Sequence, residues 1–184
     1  MLASRSPRRR ELLADAGIGV ECEPADVAEA TEIDGTPREL AVFNAELKAR
    51  AVVAARRDAV VIGADTIVVL EGEIFGKPVD FGDAQRMLGR LAGRTHEVIT
   101  GVCVIDGATA KRALFAESTF VRFRPLNGEM IERYLDRIEP LDKAGAYAAQ
   151  DDRGEVIEAV EGAFDNVIGL PVERVRAALA SLGA

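Results

Sequence analysis

Residues 59–78 read AVVIGADTIVVLEGEIFGKP, and the fold follows from how this stretch is divided. Its first half is a short apolar run of the kind buried inside a sheet, strand-sized and far from the roughly 18 residues of a membrane span. The run ends at Gly63-Ala64-Asp65, where a small-residue break delivers a carboxylate at the strand edge. Ligands commonly meet α/β sheets at such places, and a carboxylate buried there needs a metal, hydrogen bonds or a cation to offset the loss of water. Asp65 is thus the leading candidate for chemistry, with a satisfied structural aspartate as the competing reading. The tail of the stretch, GEIFGKP, invites comparison with a phosphate loop. Gly72 to Gly76 is one residue too short, however, and Pro78 replaces the required Ser or Thr. What remains is Lys77, either a point charge for a phosphate or an ordinary turn lysine.

Working upstream, TPRELAVFNAELKARAVVAARR (36–57) predicts a helix from Pro37 to about Arg57, opened by Thr36 and Pro37 with Glu39 at the capping-box position. Lys48 lies one turn after Asn44 and could project its ammonium toward the Asp65 pocket or into solvent. The acidic loop before this helix, ADVAEATEIDGTP, contains Glu29, which taken alone reads as an exposed acid. VECEP (20–24) is a short strand candidate.

Downstream, DFGDAQRMLGRLAG predicts a helix with Met87, Leu88 and Leu91 inward. THEVITGVCVID (95–106) and ALFAESTFVRFRP (113–125) flank a turn-like GATAK and predict a long antiparallel hairpin. A helix starting at Asn127, the loop EPLDKAGAYAAQDDRG, a strand around EVIEAV, the stretch EGAFDNVIGLP and a helix from Pro171 to about Leu182 complete the chain. No repeat or linker separates independent domains, so one domain over residues 1–184, or one with a modest second lobe, is expected. Strands and helices alternate without regular βαβ spacing, which favours a mixed sheet in an α/β or α+β fold.

The N-terminal stretch SRSPRRRELLADAG (4–17) poses a charge problem. Ser6 reads as an N-cap and Pro7 as the first helical residue, which places Arg8, Arg9 and Arg10 in the first turn. Cations at that positive end of the helix dipole are unfavourable by about 0.3–1 kcal/mol each when exposed. A multiply charged anion bound at the helix start would relieve them; a solvated basic patch is the alternative. The whole chain is acidic, with 31 Asp and Glu against 23 Lys and Arg, which argues against a nucleic-acid polymer or an anionic membrane as partner. One local basic cluster suits a small anion better. Cys22 and Cys103 lack metal-ligand or CxxC spacing and read as buried, reduced thiols, and His96 has no second histidine and reads as structural. With no membrane span, signal or transit segment, a soluble cytoplasmic protein is expected.

Taken in order, LASRSPRR, Glu29, Lys48 in AELKAR, IGADTIV, GKP, THEVITGV, PLDKAGAYAAQ and NVIGLP resemble the Maf nucleotide pyrophosphatases over almost the whole chain. The resemblance implies the Maf/Ham1 (ITPase-like) fold, an elongated mixed β-sheet flanked by helices around a nucleotide cleft. It further implies hydrolysis of nucleoside triphosphates to monophosphate and pyrophosphate with a divalent cation, magnesium or manganese, and a homodimer. By the same resemblance Ser6, Arg8, Arg9, Lys48 and Lys77 hold the triphosphate. Glu29 and Asp65 place the metal and activate water, with Asp65 the proton acceptor.

Arg8, Thr66 and Gln150 match the pattern of the subgroup acting on dTTP and UTP, where the sister subgroup acting on 7-methyl-GTP has an aromatic, a glutamine and an acid. Two departures stand out. Only Met1 and Leu2 precede Ala3-Ser4, where family members usually have a longer apolar first strand, and Asp151-Asp152-Arg153-Gly154 follows Gln150 in place of an immediate glycine. Rival readings are a non-catalytic nucleotide-sensing regulator of septum formation and a pyrophosphatase for modified purine triphosphates such as 7-methyl-GTP or ITP.

Overall fold

The structure, a computed structural model, describes residues 1–183. The apolar run forms β1 (Val60–Leu70), which is longer than its sequence suggests: it runs through Gly63-Ala64-Asp65 and leaves Asp65 at its centre instead of its edge. Gly63 does not end the strand; it permits a close approach. A Cβ there would lie 2.2 Å from the Ala45 carbonyl oxygen and 2.8 Å from the Ala49 nitrogen, both on α2 (Pro37–Ala55). The missing side chain lets the helix backbone lie directly on the strand.

Four more strands join β1: β2 (Glu73–Phe75), β3 (Thr95–Asp106), β4 (Arg112–Phe123) and β5 (Ile157–Glu161), in the order β2-β1-β3-β4-β5. β2 pairs antiparallel with β1, and β5 with β4. The expected β3–β4 hairpin forms around residues 107–111, with Asp106 N donating to Lys111 O and, in the same register, Phe123 N donating to Arg94 O, both at 2.9 Å. Leu2 adds parallel bridges to Cys22 and Ile62, so the strand directions are mixed. The VECEP segment contributes only the Cys22 bridge, which leaves Cys22 exposed where its sequence suggested a buried thiol, while Cys103 on β3 is buried; the Met1 ammonium donates to Val60 O.

The chain divides into two compact units. The first comprises Met1–Thr66, Thr100–Glu117 and Gly169–Ala184, and holds α1 (Pro7–Asp15), α2 and α6 (Val172–Leu182). Strand alternation assigns its core to two faces. Ile62 and Ala64 pack with Leu13 of α1 and Val175 of α6, while Val61 packs with Ala45, Ala49 and Val52 of α2. The α2 capping box forms as its sequence predicts, Thr36 N donating to Glu39 Oε2 and Glu39 N to Thr36 Oγ1.

The second unit comprises Ile67–Ile99 and Ser118–Ile168. Its helices α3 (Phe81–Leu91) and α4 (Gly128–Leu135) are capped by Asp80 and Asn127, and Leu88, Leu91, Phe123 and Tyr134 lie in its core. Two 3-10 turns (Pro140–Asp142 and Ala144–Ala146) shape the long loop, and a short helix α5 (Phe164–Ile168) occupies the EGAFDNVIGLP segment.

His96 is structural, as its isolation in the sequence suggests. It is 1% exposed, meets Phe123 and Tyr147 edge-on, and has Nε2 3.0 Å from the Tyr147 hydroxyl. Burial lowers its pKa to about 4. As pH falls, the unfolded chain therefore takes up this proton before the folded chain does. The resulting stability is intact above about pH 6.5 and lost progressively toward pH 4, to a total of about 3 kcal/mol. Urea unfolding between pH 7.5 and 4.5 should show this loss, and His96→Gln should remove that part of the pH dependence.

Candidate active site

Three side chains of the first unit converge on one point. Lys48 Nζ lies 2.7 Å from Asp65 Oδ1 and 3.1 Å from Glu29 Oε1, with a weaker bond to Ala64 O at 3.4 Å. The ammonium has three donors, and these three acceptors match them. Side-chain exposure is 10% for Lys48, 8% for Asp65 and 42% for Glu29, so the cluster has a dry floor and an open acid at its lip. Lys48 reaches Asp65 because Gly63 brings α2 onto β1; the ammonium does project to the carboxylate, the first of the two readings open in the sequence.

Asn44 completes the floor, a task that its place one turn before Lys48 does not by itself reveal. Its Nδ2 donates to Asp65 Oδ2 (3.3 Å) and Ala30 O (3.0 Å), and its Oδ1 accepts from Ala30 N (2.9 Å). This two-point clamp pins the acidic loop at Ala30 and delivers its neighbour Glu29 to Lys48. Burial pushes the Asp65 carboxyl up, but Lys48, the nearby Arg9 and the Asn44 hydrogen bond outweigh it and hold the group below its ordinary value. Two hard carboxylates aimed at one cationic point fit magnesium or manganese, which commonly use one or two carboxylates and complete their shell with phosphate oxygens and water. Among the described residues no group of three or more His, Cys, Asp and Glu side chains gathers as a metal cage.

Arg9 is half-buried and resolves the charge problem of α1 in part. Its Nε donates to Gly169 O (2.8 Å), Nη1 to Ser4 Oγ (3.3 Å) and Nη2 to Thr66 Oγ1 (3.0 Å). Burial lowers its pKa while Asp65 and Glu29 oppose that shift. The first-turn cation is therefore compensated by the acidic cluster and by three protein acceptors, one for each guanidinium nitrogen. Ser6 caps α1, accepting from Arg9 N at 3.5 Å, and Arg8 beside it is partly exposed. Thr66 follows Asp65 on β1 and bonds Arg9, so it belongs to the same cluster.

Lys77 and Gln150 lie in the second unit, both exposed. Gly145 N donates to Gly76 O (3.0 Å), which ties the Lys77 turn to the loop carrying Gln150. That loop is further held by the buried Lys143, whose Nζ donates to Glu139 O and Asp142 Oδ1, each at 2.6 Å. Of the residues singled out from sequence, Ser6, Arg9, Glu29, Lys48, Asp65 and Thr66 are thus joined in one network within the first unit. Ser4, Asn44, Thr100 and the Gly169 carbonyl belong to it too, and nothing in their residue types or spacing marks them.

A family model described as Maf-like protein matches residues 1–182. A protein of Symbiobacterium thermophilum named dTTP/UTP pyrophosphatase is 44% identical over 183 residues, covering 100% of this chain and 93% of the relative. Proteins of the same name from Desulforamulus reducens and Syntrophotalea carbinolica are 43% and 46% identical, over 100% of this chain and 96% and 84% of theirs.

Replacing Lys48 by Met keeps the bulk and removes the charge. Asp65 is then a buried carboxylate without its cation, and the variant should lose about 3–5 kcal/mol of stability at pH 7. Because the loss of Lys48 raises the Asp65 pKa, acid should protonate the orphaned group and shrink the deficit. Urea unfolding of both proteins at pH 7 and pH 4.5 checks the size and the direction.

Proposed function

The chain belongs to the Maf family, and on that footing we propose that it hydrolyses dTTP and UTP to the nucleoside monophosphate and pyrophosphate, clearing surplus or modified pyrimidine triphosphates. The observation that carries this reading is the convergence of Glu29 and Asp65 on Lys48, with Arg9 coupled to the same cluster. A pair of acids organised around a cation is what water activation beside a polyphosphate needs, whereas a nucleotide sensor has no use for it. The full-length similarity to proteins named for this activity supports the same substrate class.

In the proposed reaction, as the family resemblance implies, Ser6, Arg8, Arg9, Lys48 and Lys77 bind phosphate oxygens through charge-assisted hydrogen bonds, Lys48 exchanging its weak bond to Ala64 O for one of them. Thr66 and Gln150, with Arg8, read the pyrimidine. Asp65 accepts a proton from the water that attacks the α-phosphorus, the bond from that phosphorus to the bridging oxygen breaks, and pyrophosphate departs. A magnesium or manganese ion held by Glu29 and Asp65 would supply Lewis-acid neutralisation of the phosphate charge. Its neighbours keep Asp65 ionised at neutral pH, the form that can take a proton. The proposal extends to a cytoplasmic homodimer, an assembly that rests on the family resemblance.

Purified protein with magnesium or manganese should release pyrophosphate from UTP and dTTP, and in ¹⁸O-water the label should enter the monophosphate. Asp65→Asn should cost about 10²–10⁴-fold in kcat with the circular dichroism spectrum unchanged. Full activity in that variant would remove Asp65 from the chemistry, and tight UTP binding with no pyrophosphate release under either metal would contradict the enzyme.

A further inference from the structure

Asn44 is buried on α2, 3% exposed, and its partners settle which way its amide faces. The Ala30 N–H can only donate and the Ala30 carbonyl can only accept, so Oδ1 faces the first at 2.9 Å and Nδ2 the second at 3.0 Å. The other Nδ2 proton goes to Asp65 Oδ2 at 3.3 Å, the longest of the three bonds. Both N–H groups and the oxygen of a buried amide are thereby used. The segment they hold has little else to fix its course: residues 24–32 form no helix or strand and, among the described residues, make no backbone-to-backbone hydrogen bond. Glu29, next to the anchored residue, meets Lys48 at 3.1 Å, and Lys48 meets the other oxygen of Asp65 at 2.7 Å. Asn44 and Lys48, one turn apart on α2, therefore close a ring with Ala30, Glu29 and Asp65. An ammonium is a point charge that accepts a carboxylate from many directions, whereas the paired amide contacts define one.

We propose that Asn44 is a positioning residue for a divalent-cation seat: by fixing the backbone at Ala30 it holds the Glu29 carboxylate beside Asp65, and the two acids share one ion that Asn44 never touches. The inference rests on the pyrophosphatase reading in one respect, that Glu29 and Asp65 are the pair facing the ion. A carboxylate on an unanchored loop has to be ordered when the ion binds, and that cost is subtracted from the affinity. A carboxylate already in place binds without it. Groups that orient a metal's ligands in this way typically contribute about 10–100-fold in metal affinity.

The test is Mn²⁺ alone, titrated into wild type, Asn44→Leu, Glu29→Ala and the Glu29→Ala/Asn44→Leu pair, with free Mn²⁺ read by electron paramagnetic resonance. Leucine keeps the bulk, suits a buried helix position and offers no hydrogen bond. The Kd for Mn²⁺ should rise about tenfold or more in Asn44→Leu. Adding Asn44→Leu to Glu29→Ala should raise it no further, because Asn44 acts through Glu29; a merely structural loss would not depend on Glu29. An unchanged Kd in folded Asn44→Leu overturns the proposal, as does a further rise of similar size in the pair. Hydrogen exchange tests it on the wild type itself: without metal, the Ala30 amide should exchange about 100-fold more slowly than in an unstructured chain. Exchange at the unprotected rate overturns the proposal even if Asn44→Leu fails to fold, and so does wild type that takes up no Mn²⁺ at millimolar concentration. Failure of the pyrimidine-triphosphate reading has a different signature: Mn²⁺ uptake that responds to Asn44 as expected, with no pyrophosphate released from UTP or dTTP.

Discussion

One ammonium organises the first unit. Lys48 Nζ holds Asp65 and Glu29 within 3.1 Å of itself, and much nearby architecture serves that arrangement. Gly63 lets α2 approach β1 closely enough for a lysine on the helix to meet an aspartate on the strand. Asn44, one turn before Lys48, fastens both the far oxygen of Asp65 and the backbone at Ala30, so that the acidic loop presents Glu29 at a fixed place. Each of these groups would be costly alone in a dry environment: an uncompensated carboxylate on a central strand, an ammonium on the inner face of a helix. Together they make a preorganised charge cluster with one open side, which is the physical requirement for stabilising charge that develops on a substrate.

Arg9 extends the cluster to the first turn of α1. An arginine in the first turn of a helix is electrostatically misplaced, and the structure offsets it twice, through the field of Asp65 and Glu29 and through hydrogen bonds to Gly169, Ser4 and Thr66. The same side chain therefore braces Thr66 and the segment entering α6 while retaining N–H groups for an anion. Binding and bracing are coupled: an anion that pulls on Arg9 also pulls on the hydroxyl network behind it.

Much of this was legible in the sequence, for reasons that differ by element. Caps announced α1, α2 and α4, because Ser6, the Thr36–Glu39 pair and Asn127 act through local backbone groups, and α3 showed in the inward spacing of Met87, Leu88 and Leu91. The β3–β4 hairpin was readable from two strand-type runs around a polar turn. The length of β1 was not, since Gly63 resembles a strand terminator in one dimension and becomes a docking point only once α2 is placed against it. α5 is too short to show a period. In the site, Asp65, Lys48 and Glu29 could be singled out as charges needing partners or matching a family pattern. Asn44 and Thr100 could not, because an amide on a helix and a hydroxyl on a strand look ordinary until their partners, distant in sequence, are in view.

The ion cluster depends on the ionisation of Asp65, and titrating its side-chain carboxyl by ¹³C NMR in wild type and in Lys48→Met measures that directly. The wild-type carboxyl should titrate below the ordinary aspartate value, held there against burial by Lys48, Arg9 and Asn44, and should move up in the variant. A wild-type value at or above that of an ordinary aspartate, unmoved by the loss of Lys48, would contradict the central role given to this ion cluster.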